Sequence, residues 1–259
     1  MKQPVWTREH EVASFLANPQ KRLGLCGLLA LLQDAAWRHA EHLGFGFESI
    51  AEQRRIWVLT RQKVVMRSWP AWGETVRVRT WVRPSSGPLA SRDYEVTTAD
   101  GAVVGACTTS WLVVDSTTRR PARLDLSDAD LTHRVPEAVP FTAPKIPLRD
   151  DLVHRARFDV RNSDLDVNQH VNNVRYAQWI LDSVPLDWHR RFTLLEYEVN
   201  FLDEARAGDV VSILRSDDHH PDGAPFRMQF QGLREADNRT VFAARLTAVS
   251  AAAPDSDAG

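Results

Sequence analysis

The sequence predicts an α+β fold built from two tandem units, each a long helix packed on a twisted antiparallel sheet. Three observations lead there. The order strand, helix, four strands is read once before residue 120 and again after residue 150. One stretch in each half carries apolar residues at helical spacing. Between the halves, residues 121–150 hold five prolines and many charges with no clear period, a composition that reads as a crossover running over a surface.

The first half opens with a strand read within residues 4–16. From Leu25 the pattern becomes helical. Leu25, Leu28, Leu29, Leu32, Ala36 and Leu43 recur on one stripe, and Gln33, Arg38 and Glu41 fall largely off it. That is an amphipathic helix of about five turns, ended by Gly44. Strands are expected over 55–66, 75–83, 91–98 and 103–115. Trp72-Gly73, Pro84-Ser85-Ser86-Gly87 and Ala99-Asp100-Gly101 separate them with turn chemistry, and Asp-Gly is the strongest hairpin signal of the three.

The second half repeats the order, not the letters. Residues 153–160 read as a strand. Residues 171–181 read as a helix, with Val171, Val174, Tyr176, Ile180 and Leu181 apolar. Strands follow over 193–201, 209–214, 226–233 and 240–249. The expected boundaries are 1–123, a crossover at 124–150, 151–250, and a tail at 251–259 with nothing to pack. Two such units pairing edge to edge would remove an exposed strand edge from each.

Composition excludes several function classes. A net charge of -2 gives no reason to expect nucleic acid or a charged membrane surface. No apolar run reaches the roughly 20 residues that span a bilayer, so no membrane insertion is expected. The opening MKQPVWTREHEV is charged and has no apolar centre, so no secretory signal is expected. Cys26 and Cys107 sit in apolar surroundings and make no disulfide framework. The location expected is cytoplasmic.

Chemistry concentrates before the second helix, in the twelve residues from Asn162 to Asn173. Two acids, a histidine and several Asn and Gln side chains gather at a strand-to-helix junction. Free helix N–H groups there attract an electron-rich atom. Some of these residues serve structure: Asp164 or Asn168 suits an Asx turn, and Asn172 or Asn173 suits a helix cap. A loop needing one turn and one cap does not need so many donors and acceptors. Asp166, Asn168 and His170 alternate with Val167 and Gln169, so an extended backbone would point all three to one side. Carboxylate, amide and imidazole together activate water and polarise a carbonyl. Neither cysteine lies here, and there is no serine elbow. His219-His220 after Asp217-Asp218 reads as a solvated hairpin tip. No metal and no cofactor are expected.

The stretch SDLDVNQHVNNVRYAQWILDSVP closely resembles the signature of acyl-acyl carrier protein thioesterases, plant and bacterial enzymes that end fatty-acid synthesis. RRIWVLTRQKVVMRSWPAWGETVRVRTWV and SWLVVDSTTRRPARL resemble parts of that family's first repeat. The resemblance runs from about Val12 to Val249 and implies a double hotdog fold. It also implies that Asp166, Asn168 and His170 match the family's Asp, Asn and His. The family's further acid, often followed by cysteine, matches Glu204, which leaves Ala205 at the cysteine position. Another alignment, from Leu195-Glu196-Tyr197, puts Phe201 there. Neither supplies a thiol, so the expectation is hydrolysis by activated water. Glu204 or Asp166 takes the proton, His170 positions and polarises, and Asn168 with a backbone N–H near the helix start holds the carbonyl.

The resemblance further implies an acyl slot beside the first helix, for which Leu28, Leu32, Ala35, Trp57, Leu59 and Trp81 are the candidates. It implies an acidic partner, an acyl carrier protein bearing the fatty acyl chain. Arg54, Arg55, Arg61, Arg119 and Arg120 are the residues named for its docking, with Arg123 beside them. The chain is expected as a monomer or homodimer. The rival readings are an acyl-coenzyme A thioesterase, a non-catalytic acyl-binding protein on the same fold, and a dehydratase.

Overall fold

The computed structural model describes residues 2–83, 89–122, 137–216 and 225–251. Arg123, the tip around His219-His220, the turn at 84–87 and the tail beyond Ala251 lie outside these. The chain divides into two units. One comprises Met1–Ile146 with Glu198–Leu202, and the other comprises Pro147–Tyr197 with Asp203–Gly259.

In the first unit β1 (Val5–Glu11) leads into helix α1 (Leu25–Leu43). Gly44 ends α1 in the left-handed region, at φ 85, and its N–H bonds back to the last turn, a geometry that costs glycine nothing. A short helix α2 (Phe47–Glu52) follows, then β2 (Arg55–Met66), β3 (Thr75–Arg83), β4 (Leu89–Thr98) and β5 (Val103–Asp115). The strands pair in the order β1-β3-β4-β5-β2. All four of these pairings are antiparallel.

The second half of the chain has β6 (Val153–Asp159), a 3-10 turn (Asn162–Asp164), α3 (Asn173–Asp182), α4 (Leu186–Arg191), β7 (Phe192–Phe201), whose last four residues count with the first unit, β8 (Val210–Arg215), β9 (Phe226–Arg234) and β10 (Arg239–Ser250). Its order, β6-β8-β9-β10-β7, is the order of the first unit strand for strand. The repeat of pattern is therefore a repeat of topology, and the fold is a double hotdog. Helices α2 and α4 were not expected from sequence. Each has six residues, too short for a helical period to show.

Residues 137–150 have no helix or strand, but they do not simply run over a surface. Ala143 and Ile146 are buried. Buried amide side chains supply the backbone partners that a strand would have had. In the first unit Asn200 accepts from Ile146 N–H at 2.8 Å and donates to the Pro144 carbonyl at 2.9 Å. In the second unit Gln231 holds both backbone groups of Arg149, and Gln229 donates to the Pro147 carbonyl. Prolines deprive the segment of N–H donors, so the sequence pattern alone hides this attachment.

On the buried face of α1, His39 forms a polar pair with Arg92 of β4. Arg92 and His39 are almost wholly enclosed. Arginine only donates, so His39 Nδ1 accepts its bond at 2.9 Å, and Nε2–H faces the Gln3 carbonyl at 3.0 Å. Burial first, and then the Arg92 charge, push the His39 pKa down to about 3. An imidazole in the unfolded chain takes its proton near 6.5. The unfolded state therefore binds protons first, and stability is lost as pH falls from about 6.5 toward 3. His39→Gln keeps an acceptor and a donor but does not titrate in this range. Between pH 7 and pH 5 the parent should lose about 2 kcal/mol more than this variant in urea unfolding.

Candidate active site

The second unit brings its candidate residues together by stitching two loops. The first loop leaves β6, turns through Asn162–Asp164 and enters α3. Asp164 shapes its start. Its carboxylate accepts from Arg161 N–H at 2.8 Å, and its carbonyl accepts from Asn172 N–H. Leu165 and Val171 then form an isolated antiparallel bridge, and Asp166 N–H donates to the His170 carbonyl at 2.9 Å.

The stretch from Asp166 to His170 is therefore a tight turn, not the extended run that alternation suggested. Its closing bonds overrule the strand geometry. Gln169 N–H donates to the Asp166 carbonyl, and Asp166 Oδ1 accepts from Asn168 N–H at 2.8 Å, as in an Asx turn. Gln169 adopts φ 63, a conformation unusual outside glycine and asparagine and one that gathers at functional sites. Val167 and Asn168 sit exposed on the turn. The Asn168 side-chain amide makes no hydrogen bond to a described residue.

Helix α3 starts three residues after His170. Asn172 caps it, with Oδ1 accepting from Val174 N–H at 3.0 Å. The helix is anchored through aromatic contacts. Tyr176 meets Phe242 edge to face, and Trp179 stacks on Phe158 at 5.7 Å. The Phe242 ring occupies the space where a side chain at Gly232 would stand. The N–H groups of Val171, Asn172, Val174 and Arg175 all have protein acceptors. A carbonyl held here by a helix-start N–H, as expected from sequence, would have to compete with them.

The second loop, between β7 and β8, carries Asp203, Glu204 and Ala205. Val171 N–H donates to the Ala205 carbonyl at 3.0 Å, one residue on from both His170 and Glu204. The result is His170 Nε2 at 3.3 Å from Glu204 Oε2. Both side chains are about one-quarter exposed, so the pair is open to solvent on one side. Arg206 also reaches Glu204 Oε2, at 3.2 Å. Ala205 is fully buried. Beneath the pair, burial first and then the charges of Glu204 and Asp203 raise the Tyr176 pKa above its ordinary value.

The structure thus joins His170 to Glu204, with Asp166 and Asn168 in the turn that carries His170. A histidine and a carboxylate paired in this way and open to solvent are equipped to move a proton from water. Sequence reading missed Asp203, Arg206 and Arg234, which surround Glu204. Arg234 and Asp237 flank the turn between β9 and β10, far along the chain from Glu204. Among the described residues no cluster of three or more His, Cys, Asp or Glu is placed to hold a metal.

The first unit holds the residues named for the slot. Leu28, Leu32 and Ala35 lie buried along α1 in one stripe that continues to His39. Trp57 packs against Leu43, Phe45, Ile50 and Val82, and Leu59, two residues on, shares its strand face. Trp81 does not. Its neighbours Thr80 and Val82 face Arg92 and the α1 end cluster, so alternation turns Trp81 to the opposite face. A cleft of about 450 Å³ on this unit is lined by Trp6, Asp34, Trp37, Arg38, Glu41 and His42, and by none of the six.

Four of the five named arginines gather at one end of β2 and β5. Arg55 pairs with Asp115 at 2.7 Å. Ser116 N–H donates to the Arg54 carbonyl, Arg119 N–H donates to the Asp115 carbonyl, and Asp115 N–H donates to the Arg120 carbonyl. Arg54, Arg119 and Arg120 are exposed. Arg61 is half-buried, beyond the irregularity between Leu59 and Arg61.

The sequence profile of the Acyl-ACP thioesterase N-terminal domain matches residues 3–128. That of the Acyl-ACP thioesterase C-terminal domain matches residues 149–244. The chain belongs to the acyl-ACP thioesterase family. Among the family's curated members, oleoyl-acyl carrier protein thioesterase 1 of Arabidopsis thaliana is 29% identical over 221 residues, covering 78% of this chain and 61% of that protein. The dodecanoyl-[acyl-carrier-protein] hydrolase of Cinnamomum camphora is 28% identical over 206 residues, covering 70% of this chain and 51% of that protein. The chain thus spans roughly half to three-fifths of the length of these relatives.

Solved family structures share the fold. An acyl-ACP thioesterase from Bacteroides thetaiotaomicron superimposes with TM-score 0.85 at 23% identity, covering 95% of this chain and 98% of the other. The 12:0-ACP thioesterase from Umbellularia californica gives 0.84 at 22% identity, covering 97% and 96%.

Proposed function

We propose that the chain hydrolyses the thioester of fatty acyl-acyl carrier protein, giving free fatty acid and carrier, without a cysteine nucleophile. The observation that carries this reading is the His170–Glu204 pair in a member of this family, with buried Ala205 beside the acid. Glu204 takes a proton from the attacking water and hands it to His170, its hydrogen-bonding neighbour, which passes a proton to the departing sulfur, so that both groups end the cycle as they began it. The exposed Asn168 amide stabilises charge on the carbonyl oxygen. Asp166 is already engaged in closing the turn, which favours Glu204 as the base and gives Asp166 the task of holding Asn168 and His170. No covalent intermediate is required. Water oxygen joins the acyl carbon as the carbon–sulfur bond breaks.

The acyl chain is assigned to the first unit, along Leu28, Leu32 and Ala35 with Trp57 and Leu59. The acidic carrier is assigned to the patch of Arg54, Arg119 and Arg120. A cytoplasmic location belongs to the same reading. Its support is that Cys26 and Cys107 are both free thiols.

The test is release of fatty acid from a panel of acyl-carrier and acyl-coenzyme A thioesters. Glu204→Gln and His170→Ala should each lower turnover on the carrier substrate by about a hundredfold or more. Asp166→Asn keeps the oxygen that closes the turn and should retain most of the turnover, whereas Asp166→Ala removes that oxygen and should lose activity. Near-parental turnover in both Glu204→Gln and His170→Ala would refute the assignment, and equal turnover of coenzyme A thioesters would redirect the substrate.

Salt provides a separate check on docking. Raising ionic strength should raise KM for the carrier-linked substrate severalfold and leave a small thioester nearly unchanged. Arg54→Glu with Arg120→Glu should reproduce that effect at low salt. Equal responses of both substrates would remove the arginine patch from the account.

A further inference from the structure

We infer that Arg234 and Asp203 are positioning residues that hold the peptide unit of Glu204 so that its carboxylate meets His170. The inference rests on the reading of Glu204 as the acid of the pair. Glu204 lies in a short loop after β7, outside the strands. Side chains hold its backbone on both sides. Asp203 Oδ1 accepts from Glu204 N–H at 2.8 Å. Arg234, at the end of β9, donates through one terminal nitrogen to the Glu204 carbonyl and through the other to Asp203 Oδ2.

Both clamping groups are themselves held. Arg234 spans Asp237 with two bonds, of 2.9 and 2.7 Å. Its side chain is only 14% exposed. Asp203 Oδ2 also receives Arg239 at 3.3 Å, and Asp203 N–H donates to the Val241 carbonyl. Burial opposes ionisation of Asp203, but the Glu204 N–H, Arg239 and Arg234 outweigh it and hold its pKa below the ordinary range. The carboxylate is thus charged at neutral pH. Planar guanidinium geometry suits this task, because one Arg234 addresses a carbonyl and two carboxylates at fixed angles. Neither residue makes a hydrogen bond or ion pair with His170, whose partner is Glu204, so the path to the chemistry runs through Glu204.

The arrangement has a kinetic signature. Losing the clamp should leave substrate binding intact and let the carboxylate wander from His170, and small misplacements in a site are costly in rate. The experiment measures kcat, KM and urea stability for Arg234→Ala, Asp203→Ala and Asp203→Asn, each also in a Glu204→Gln background. Single turnovers with protein in excess give the slow rates. Arg234→Ala and Asp203→Ala should lower kcat roughly 10- to 100-fold with KM changed less than about twofold. Asp203→Asn retains an oxygen acceptor for Glu204 N–H and should recover most of the lost rate.

In the Glu204→Gln background the same substitutions should have almost no further effect, because the group they position is gone. Multiplicative losses in that background, or parental kcat in a folded Arg234→Ala and Asp203→Ala, would overturn the inference. Should Arg234→Ala fail to fold, the two Asp203 variants decide it by the same criteria. Near-parental turnover of Glu204→Gln alone is a different result, which removes the underlying reading instead.

Discussion

A backbone hydrogen bond from Val171 N–H to the Ala205 carbonyl sets where the proposed chemistry takes place. The residues on either side of it inherit their separation from that bond. His170 precedes Val171 and Glu204 precedes Ala205, so joining the followers brings the imidazole and the carboxylate to 3.3 Å. The bond needs Val171 N–H to point at the second loop, which the Asp166–His170 turn and the Asn172 cap arrange. It also needs the second loop to hold its shape, which Asp203 and Arg234 arrange. Neither loop has a ladder of its own, and each relies on side chains standing in for backbone partners.

Side-chain substitution of this kind recurs in the fold. Asn200, Gln229 and Gln231 serve residues 144–149 as Asp203 and Arg234 serve Glu204. In the first unit His39 and Thr80 meet a buried guanidinium. Burying such groups is expensive unless they are satisfied. They therefore define one arrangement sharply, and a slipped register would leave several of them unpaired.

Much of the fold was legible because its signals are local. The α1 stripe from Leu25 to Leu43, the stop at Gly44 and the turn residues that separate β2, β3, β4 and β5 each come from short stretches. Helices α2 and α4 were not legible, since six residues carry too little period. The site was legible in part. Asp166, Asn168 and His170 stood out by composition, but their relation was misread: alternation describes an extended chain, and Asp166 spends its carboxylate closing a turn. Glu204 came only from family resemblance, and its supports not at all. A contact between residues 203 and 234 leaves no mark at either position taken alone. The facing of Trp81 was not legible for a related reason, because one strand's alternation does not say which face the helix covers.

The central claim is that Glu204 and His170 act on water and not as a covalent relay. A single turnover in heavy-oxygen water tests this most directly, with mass spectrometry of both the released acid and the peptide containing Glu204. The account predicts heavy oxygen in the fatty acid and none in the Glu204 carboxylate. Heavy oxygen in Glu204 would contradict it, because the label enters that group only through an acyl intermediate on the protein.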